Sequence, residues 1–106
     1  MDAKGLKVTE LIKKRIHELD PDAGIILFGS RARGDSGINS DWDILILVDQ
    51  YPVDRVSEQI YREVIFDIEL ETGEPISIFV FSKKDWESRH TITPLYRNVR
   101  KEGVLL

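Results

Sequence analysis

The sequence predicts an α/β or α+β domain in which a small sheet of three to four strands packs with helices. Three short apolar runs are bounded by turn residues, which is typical of buried strands, and they alternate with segments whose apolar residues recur at helical spacing. The 106-residue chain is long enough for one hydrophobic core and contains no linker, repeat or low-complexity tract. We therefore expect a single domain over residues 1–106.

The first part of the chain predicts a helix followed by two strands. An amphipathic helix ends at Asp20-Pro21. The run GIILF, from Gly24 to Phe28, and the run DWDILILV, from Asp41 to Val48, predict strands buried on both faces. The polar loop GDSGINS, residues 34–40, precedes the second strand. The apolar positions of the first helix are Val8, Leu11, Ile12, Ile16 and Leu19.

A long helix and a third strand follow. The helix extends from Val53 to about Leu70, and Thr72-Gly73 supplies its stop. The run PISIFVF, from Pro75 to Phe81, predicts the third strand. The apolar positions of the helix are Val56, Ile60, Val64, Ile65 and Ile68.

The end of the chain predicts two helix starts and a short tail. Ser82 resembles an N-cap with Asp85 at the capping-box position, and Thr93-Pro94 begins a last short helix. The terminal residues VLL, 104–106, predict a short edge strand or a packed end. The order of elements is helix, strand, strand, helix, strand, helix, which is the order of a layered domain.

Composition excludes several classes of protein. The chain has no Cys, which excludes disulfide scaffolds, thiolate nucleophiles and Cys-based zinc sites. The N-terminus lacks an apolar signal, and no apolar run approaches the roughly 20 residues of a membrane span, so we expect a cytoplasmic protein without a membrane partner. The net charge of −4 argues against broad nucleic-acid binding, which uses a basic face.

A Gly-Ser turn directly follows the first strand. Residues Ser30 to Arg33 can form a first helical turn, whose free backbone N–H groups would attract phosphate. Gly29-Ser30 taken alone is more often a structural turn. Arg31 and Arg33 could likewise form surface ion pairs with Asp35 or Asp41, which would stabilise the fold little.

Two acids begin the second strand. Asp41 and Asp43 alternate with Trp42, so both carboxylates lie on one face and Trp42 points to the other. Two such acids repel each other unless a cation compensates, and Mg²⁺ prefers carboxylate and phosphate oxygens. A lone Asp-x-Asp is usually a solvated strand start, but here it can share one site with the Gly-Ser turn. Phosphoryl and nucleotidyl transfer use this arrangement.

The segment GSRARG followed by SDWDILI resembles the signature of minimal nucleotidyltransferase domains in the DNA polymerase β superfamily. The resemblance implies their fold, with a mixed sheet. It also implies a nucleoside triphosphate, ATP in the first instance, and Mg²⁺ as cofactor. The implied phosphate-binding residues are Gly29, Ser30, Arg31 and Arg33, and the implied metal-binding and catalytic residues are Asp41 and Asp43.

The third strand departs from the family pattern. The family places a third carboxylate there, which completes the metal site and helps to activate the attacking hydroxyl, but the aligned position carries Ser77. The nearest acid, Glu74, is an odd number of residues away, so its side chain would face the other side of the strand. Nucleotide binding is expected, whereas catalysis is left open.

Two functions follow from these residues and the resemblance. The chain could transfer a nucleoside monophosphate from a nucleoside triphosphate to a hydroxyl acceptor. Alternatively, it could be a catalytically weak or inactive antitoxin-like module that binds a nucleotide and acts through an all-helical, toxin-type partner protein. A chain of 106 residues leaves little room for an acceptor-binding domain, so a partner or a second copy would supply specificity.

Overall fold

The fold is a four-stranded mixed sheet with helices on both faces. The computed structural model describes residues 2–37, 40–88 and 92–106. The strands are β1 (Gly24–Phe28), β2 (Trp42–Val48), β3 (Ile76–Ser82) and β4 (Val104–Leu105). The helices are α1 (Ala3–Leu19), α2 (Ser30–Arg33), α3 (Arg55–Thr72), α4 (Lys83–Ser88) and α5 (Pro94–Glu102). The predicted fold class is confirmed. The predicted polar loop includes residues 38 and 39, which lie outside the described residues.

The strand pairing brings distant parts of the sequence together. The spatial order is β3-β2-β1-β4, in which β1 is antiparallel to β2 and β4, and β2 is parallel to β3. Helix α3 provides the crossover that a parallel pair requires. In this register Phe28 lies opposite Asp43, and Asp43 lies opposite Ser77. The end of β1 and the starts of β2 and β3 therefore meet at one edge of the sheet.

The two faces of the sheet pack against different helices. One face forms the larger core with α1 and α3 and includes Trp42, Ile44 and Ile46 of β2. The other face forms a smaller cluster with α4 and α5, and Leu45 is its fully buried residue from β2. Because side chains alternate along a strand, Asp43 lies on the second face with Leu45.

The helix termini follow the predicted capping residues. Ser82 Oγ accepts from the Asp85 N–H at 3.0 Å, and Thr93 Oγ1 accepts from the Tyr96 N–H at 3.1 Å. Gly73 ends α3 with a φ of 72°, in the left-handed region that favours glycine. Helix α1 begins at Ala3, well before the first predicted apolar position, because the Asp2 carboxylate caps it.

Three of the apolar positions that the sequence gives for the helices are exposed. Leu19 is 42% exposed, Val56 is 72% exposed and Ile60 is 42% exposed. The buried residues of α3 are Tyr61, Ile65 and Ile68, which recur at i, i+4 and i+7. Val56 and Ile60 lie on another side of the same helix, so helical spacing of apolar residues did not by itself mark the buried face.

The C-terminal tail completes the sheet. Strand β4 pairs with β1, with Val104 opposite Leu27, and the Leu106 N–H donates to the Ile25 carbonyl at 2.9 Å. This confirms the predicted edge strand. In the three described stretches of the chain, no helix combines the length and the apolar character needed to cross a membrane.

Candidate functional site

The turn after β1 has a conformation that requires glycine. Gly29 has a φ of 77° and a ψ of −163°, a region that other residues rarely enter. Its carbonyl accepts from the N–H groups of Ala32 and Arg33 at 3.1 and 3.0 Å, which begins α2. The N–H groups of Ser30 and Arg31 belong to the first turn and have no intrahelical partner. They are therefore available to an anion at the end of β1.

Gly29 lies directly against the Asp43 carboxylate. A Cβ atom at position 29 would come within 2.2 Å of Asp43 Oδ2. The register explains this contact, since Phe28 pairs with Asp43 and Gly29 is the next residue. The structure thus brings the Gly-Ser turn and the Asp-x-Asp pair together. This proximity is necessary if the two motifs bind one ligand.

Asp41 and Ser77 complete this edge of the sheet. The Ser77 hydroxyl donates to Asp41 Oδ2 at 2.8 Å, so residue 77 lies beside the acids. Asp41 itself is exposed and Asp43 is half-buried, whereas Trp42 between them is buried in the opposite core. The alternation expected from the sequence is therefore observed.

The electrostatics of the site favour a bound cation. Burial raises the pKa of Asp43 above its ordinary value, and the charges of Asp41 and Glu102 raise it further, while Arg33 lowers it. A carboxylate in these surroundings is more stable when a cation compensates its charge. The oxygen donors at this edge are of the kind that Mg²⁺ prefers.

The chain supplies only part of a metal coordination sphere. Within residues 2–37, 40–88 and 92–106, no three His, Cys, Asp or Glu side chains converge as ligands of one ion. Asp41 and Asp43 thus offer two carboxylates. Mg²⁺ is commonly bound in nucleotide sites by one or two carboxylates together with phosphate oxygens, so the residues present fit this ion.

Arg33 lies on the open side of the turn. Its Nε donates to Asp35 Oδ2 at 3.1 Å, which is the local ion pair that the sequence allowed. Its Nη1 donates to Glu102 Oε2 at 2.8 Å. The side chain remains 47% exposed. Glu102 was not identified from the sequence, because it is separated from the motif by almost 70 positions and carries no motif of its own.

Arg31 lies on the other side of the turn, with its side chain 18% exposed. Its guanidinium stacks on the Trp42 ring at 4.7 Å and donates to the Ser40 carbonyl from Nε and Nη2 at 3.3 and 3.0 Å. It also lies 3.8 Å from Glu74, a buried acid that pairs with Lys4 at 3.0 Å. Glu74 therefore serves this structural cluster. Arg31 anchors the residue before Asp41.

A groove of about 530 Å³ between α3 and β3 reaches the site from the side. Ser77 lies on its β3 wall, and Arg62, Phe66 and Glu69 are among the α3 residues that line it. Phe66 is 57% exposed.

Solved structures of other proteins share this fold. A toxin–antitoxin crystal structure with AMP-PNP superposes with a TM-score of 0.66 and 23% identity, over 91% of this chain and 69% of that chain. An MntA–HpeT toxin–antitoxin complex, carrying two aspartate-to-glutamate substitutions, gives a TM-score of 0.58 and 19% identity, over 95% and 70% of the two chains. These likenesses show the fold.

The search of curated proteins finds no significant match. The family model described as nucleotidyltransferase domain matches residues 9–106, which includes the Gly-Ser turn, both acids and all four strands. The chain therefore belongs to the nucleotidyltransferase domain family.

Proposed function

We propose that the chain binds a nucleoside triphosphate with Mg²⁺ and transfers its nucleoside monophosphate to a hydroxyl acceptor. The contact between Gly29 and Asp43 carries the proposal, because it puts a phosphate-binding turn beside a metal-binding carboxylate. ATP is the nucleotide of choice, since one of the similar structures contains AMP-PNP, an ATP analogue. These reactants are consistent with a cytoplasmic protein.

Each residue at the site has a role in this proposal. The N–H groups of Ser30 and Arg31 bind phosphate oxygens, and Gly29 leaves room for their approach. Arg33 contributes positive charge, while Asp41 and Asp43 hold Mg²⁺. Mg²⁺ held by these carboxylates would supply positive charge against the phosphate oxygens. The Arg31 side chain contributes indirectly, because it holds the Ser40 carbonyl next to Asp41.

The transfer step needs a base that position 77 does not provide. The acceptor oxygen attacks the α-phosphorus, a new P–O bond forms, the bond to the β-phosphate oxygen breaks, and pyrophosphate leaves. The acceptor proton must go to a base. Ser77 offers a hydroxyl in place of the family's third carboxylate, and that hydroxyl donates to Asp41. We therefore expect transfer by this chain alone to be slow.

The second candidate function is a nucleotide-binding, antitoxin-like module that acts through a helical partner protein. Ser77 favours it, since binding requires fewer groups than catalysis. Both similar structures are of toxin–antitoxin complexes, and the second carries substitutions of two aspartates. The groove beside Ser77 gives a partner segment, or a segment of a second copy, a route to the site.

Calorimetric titration of the purified chain with ATP, with and without Mg²⁺, tests the binding proposal. We expect saturable binding that depends on Mg²⁺, and heat without saturation in both conditions would contradict it. Incubation with α-labelled ATP and a helical protein encoded by an adjacent gene then separates the two candidates. Label on the partner supports transfer, and a stable complex without label supports the module.

A further inference from the structure

We propose that Glu102 is a positioning residue for the nucleotide site, which holds the Arg33 guanidinium in place to receive a phosphate oxygen. This inference rests on the proposed nucleotide-binding function. It concerns the last turn of α5, a part of the chain that contributes no residue to the Gly-Ser or Asp-x-Asp motif.

Close backbone contacts of the C-terminal segment place Glu102 at the site. The Gly103 N–H donates to the Val99 carbonyl at 2.8 Å and closes α5. A Cβ atom at Gly103 would lie 2.8 Å from Ile26 Cγ2, so the chain passes tightly over β1 there. Val104 then pairs with Leu27. Glu102, the last residue of α5, therefore lies close enough to the site to accept from Arg33 Nη1 at 2.8 Å and to act on the charge of Asp43.

The environment of Glu102 is unusual for a carboxylate at a helix end. Its side chain is only 13% exposed, whereas Asp35, the other partner of Arg33, is 61% exposed. Acidic residues are seldom buried unless they are paired. Since the Asp35 contact is local and solvated, the Glu102 contact is the one that fixes the orientation of Arg33.

The two carboxylates leave part of the guanidinium available. Arg33 uses Nε for Asp35 and Nη1 for Glu102, and no contact of its Nη2 is found among the described parts of the chain. A guanidinium is a rigid planar fork with five N–H donors, so fixing two nitrogens also fixes the third. Nη2 can therefore meet a phosphate oxygen without reorientation.

A simple charge effect would act in the opposite direction. Glu102 adds negative charge near Asp43, so its removal should strengthen the binding of an anionic nucleotide if charge alone mattered. If Glu102 positions Arg33, its removal should weaken binding instead. The sign of the effect thus separates the two roles.

The experiment measures Mg²⁺-dependent ATP affinity by calorimetry in the full chain. We expect Glu102→Ala to weaken binding about tenfold, and Glu102→Gln, whose amide oxygen still accepts from Arg33, to stay within about twofold of the parent. Arg33→Ala should weaken binding at least as much, and adding Glu102→Ala to it should cause no further loss. Glu58→Ala, which removes an exposed carboxylate paired with Arg62 on α3, is the matched control.

Equal or tighter binding by Glu102→Ala would overturn the inference, as would a full tenfold loss when Glu102→Ala is added to Arg33→Ala. If Glu102→Ala fails to fold, Glu102→Asp replaces it. That variant keeps the charge but shortens the reach, so it should bind more weakly, and parent-like affinity would count against positioning.

The binding measurements distinguish a failure of the proposed function from a failure of the role of Glu102. If the parent chain binds no Mg²⁺–ATP, or keeps its affinity when Asp41 and Asp43 are both replaced by Asn, the nucleotide site is wrong and the inference falls with it. If the parent passes both tests and Glu102→Ala binds like the parent, only the role of Glu102 is wrong.

Discussion

Arg31 and Arg33 are two positions apart in the same helical turn, yet they lie in different surroundings. The Arg31 side chain is 18% exposed, stacks on Trp42 and lies near buried Glu74. The Arg33 side chain is 47% exposed and lies on the side of Asp43. Because Trp42 and Asp43 point to opposite faces of β2, the turn places one arginine on each face.

This difference divides the motif into a structural half and a ligand-facing half. On the Arg31 side, the guanidinium supports the loop that carries Asp41, so changes there should act first on stability. On the Arg33 side, Arg33 and Asp35 are solvated and Glu102 is largely buried, so changes to Arg33 should act mainly on nucleotide binding. Gly29 belongs to both halves because it starts the turn.

Replacing Gly29 should therefore have the largest effect, on both halves. We expect Gly29→Ala to lower the free energy of unfolding by about 2–3 kcal/mol, since its φ of 77° is strained for alanine, and to remove measurable ATP binding. Gly34→Ala is the control, because Gly34 also has a positive φ, of 83°, but no atom lies within 4 Å of its added Cβ. Denaturant melts and calorimetry compare the two variants, and equal ATP affinity for both would refute the close approach at Gly29.

The two arginines should respond differently to truncation. We expect Arg31→Ala to destabilise the protein by about 2 kcal/mol, because it leaves buried Glu74 with Lys4 as its remaining partner. Arg33→Ala should lower stability by less, about 1 kcal/mol, because the largely buried Glu102 loses its Arg33 partner, but it should bind ATP about tenfold more weakly. Urea denaturation and calorimetry measure both, and the reverse pattern would contradict the division.

A carboxylate at position 77 should strengthen metal binding on the ligand-facing half. Ser77→Asp adds an acid beside Asp41, so we expect a loss of about 1 kcal/mol without metal and a larger Mg²⁺-induced rise in Tm than in the parent. Ser88→Asp adds the same charge on the exposed end of α4 and serves as control. A Mg²⁺-induced shift no larger than that of the control would show that residue 77 does not contribute to the metal site.

The smallest expected effect is a pH dependence of stability. The pKa of Asp43 is raised in the folded state, so folding favours its protonated form. The contribution of Asp43 to the free energy of unfolding is therefore fully present below the ordinary pKa of 3.8 and is lost as pH rises through the folded pKa. Without metal, the Tm of Asp43→Asn relative to that of the parent should therefore increase as pH rises from about 4 to 7. Arg33 lowers this pKa, so Arg33→Ala should lose more stability than the parent over the same rise in pH. Arg31→Ala should lose no more than the parent. A constant difference between Asp43→Asn and the parent across this range would contradict the raised pKa.

Much of the site was predictable because it depends on local periodicity. Alternation along a strand put Asp41 and Asp43 on one face and Trp42 on the other, and the apolar runs located β1 and β2. The same alternation indicated that Glu74 faces away from Asp41 and Asp43. On that side Glu74 pairs with Lys4. These features need only the sequence within a few residues.

The remaining features depend on how elements pack, which the sequence alone does not specify. Glu102 reaches Arg33 only because β4 pairs with β1. Helix α3 carries apolar residues on more than one side, so periodicity could not show that Tyr61 is buried and Val56 is exposed. Arg31 and Arg33 are the same residue type two positions apart, and only packing separates their environments.

The most direct test of the nucleotide site is calorimetric titration of Asp41→Asn/Asp43→Asn with ATP and Mg²⁺, beside the parent chain. We expect the parent to bind and the double variant to lose Mg²⁺-dependent binding, while its unfolding temperature without metal stays equal or rises, because the repulsion between Asp41 and Asp43 is removed. A folded double variant that binds ATP with the parent's affinity and the parent's Mg²⁺ dependence would contradict the assignment of this edge of the sheet as the nucleotide site.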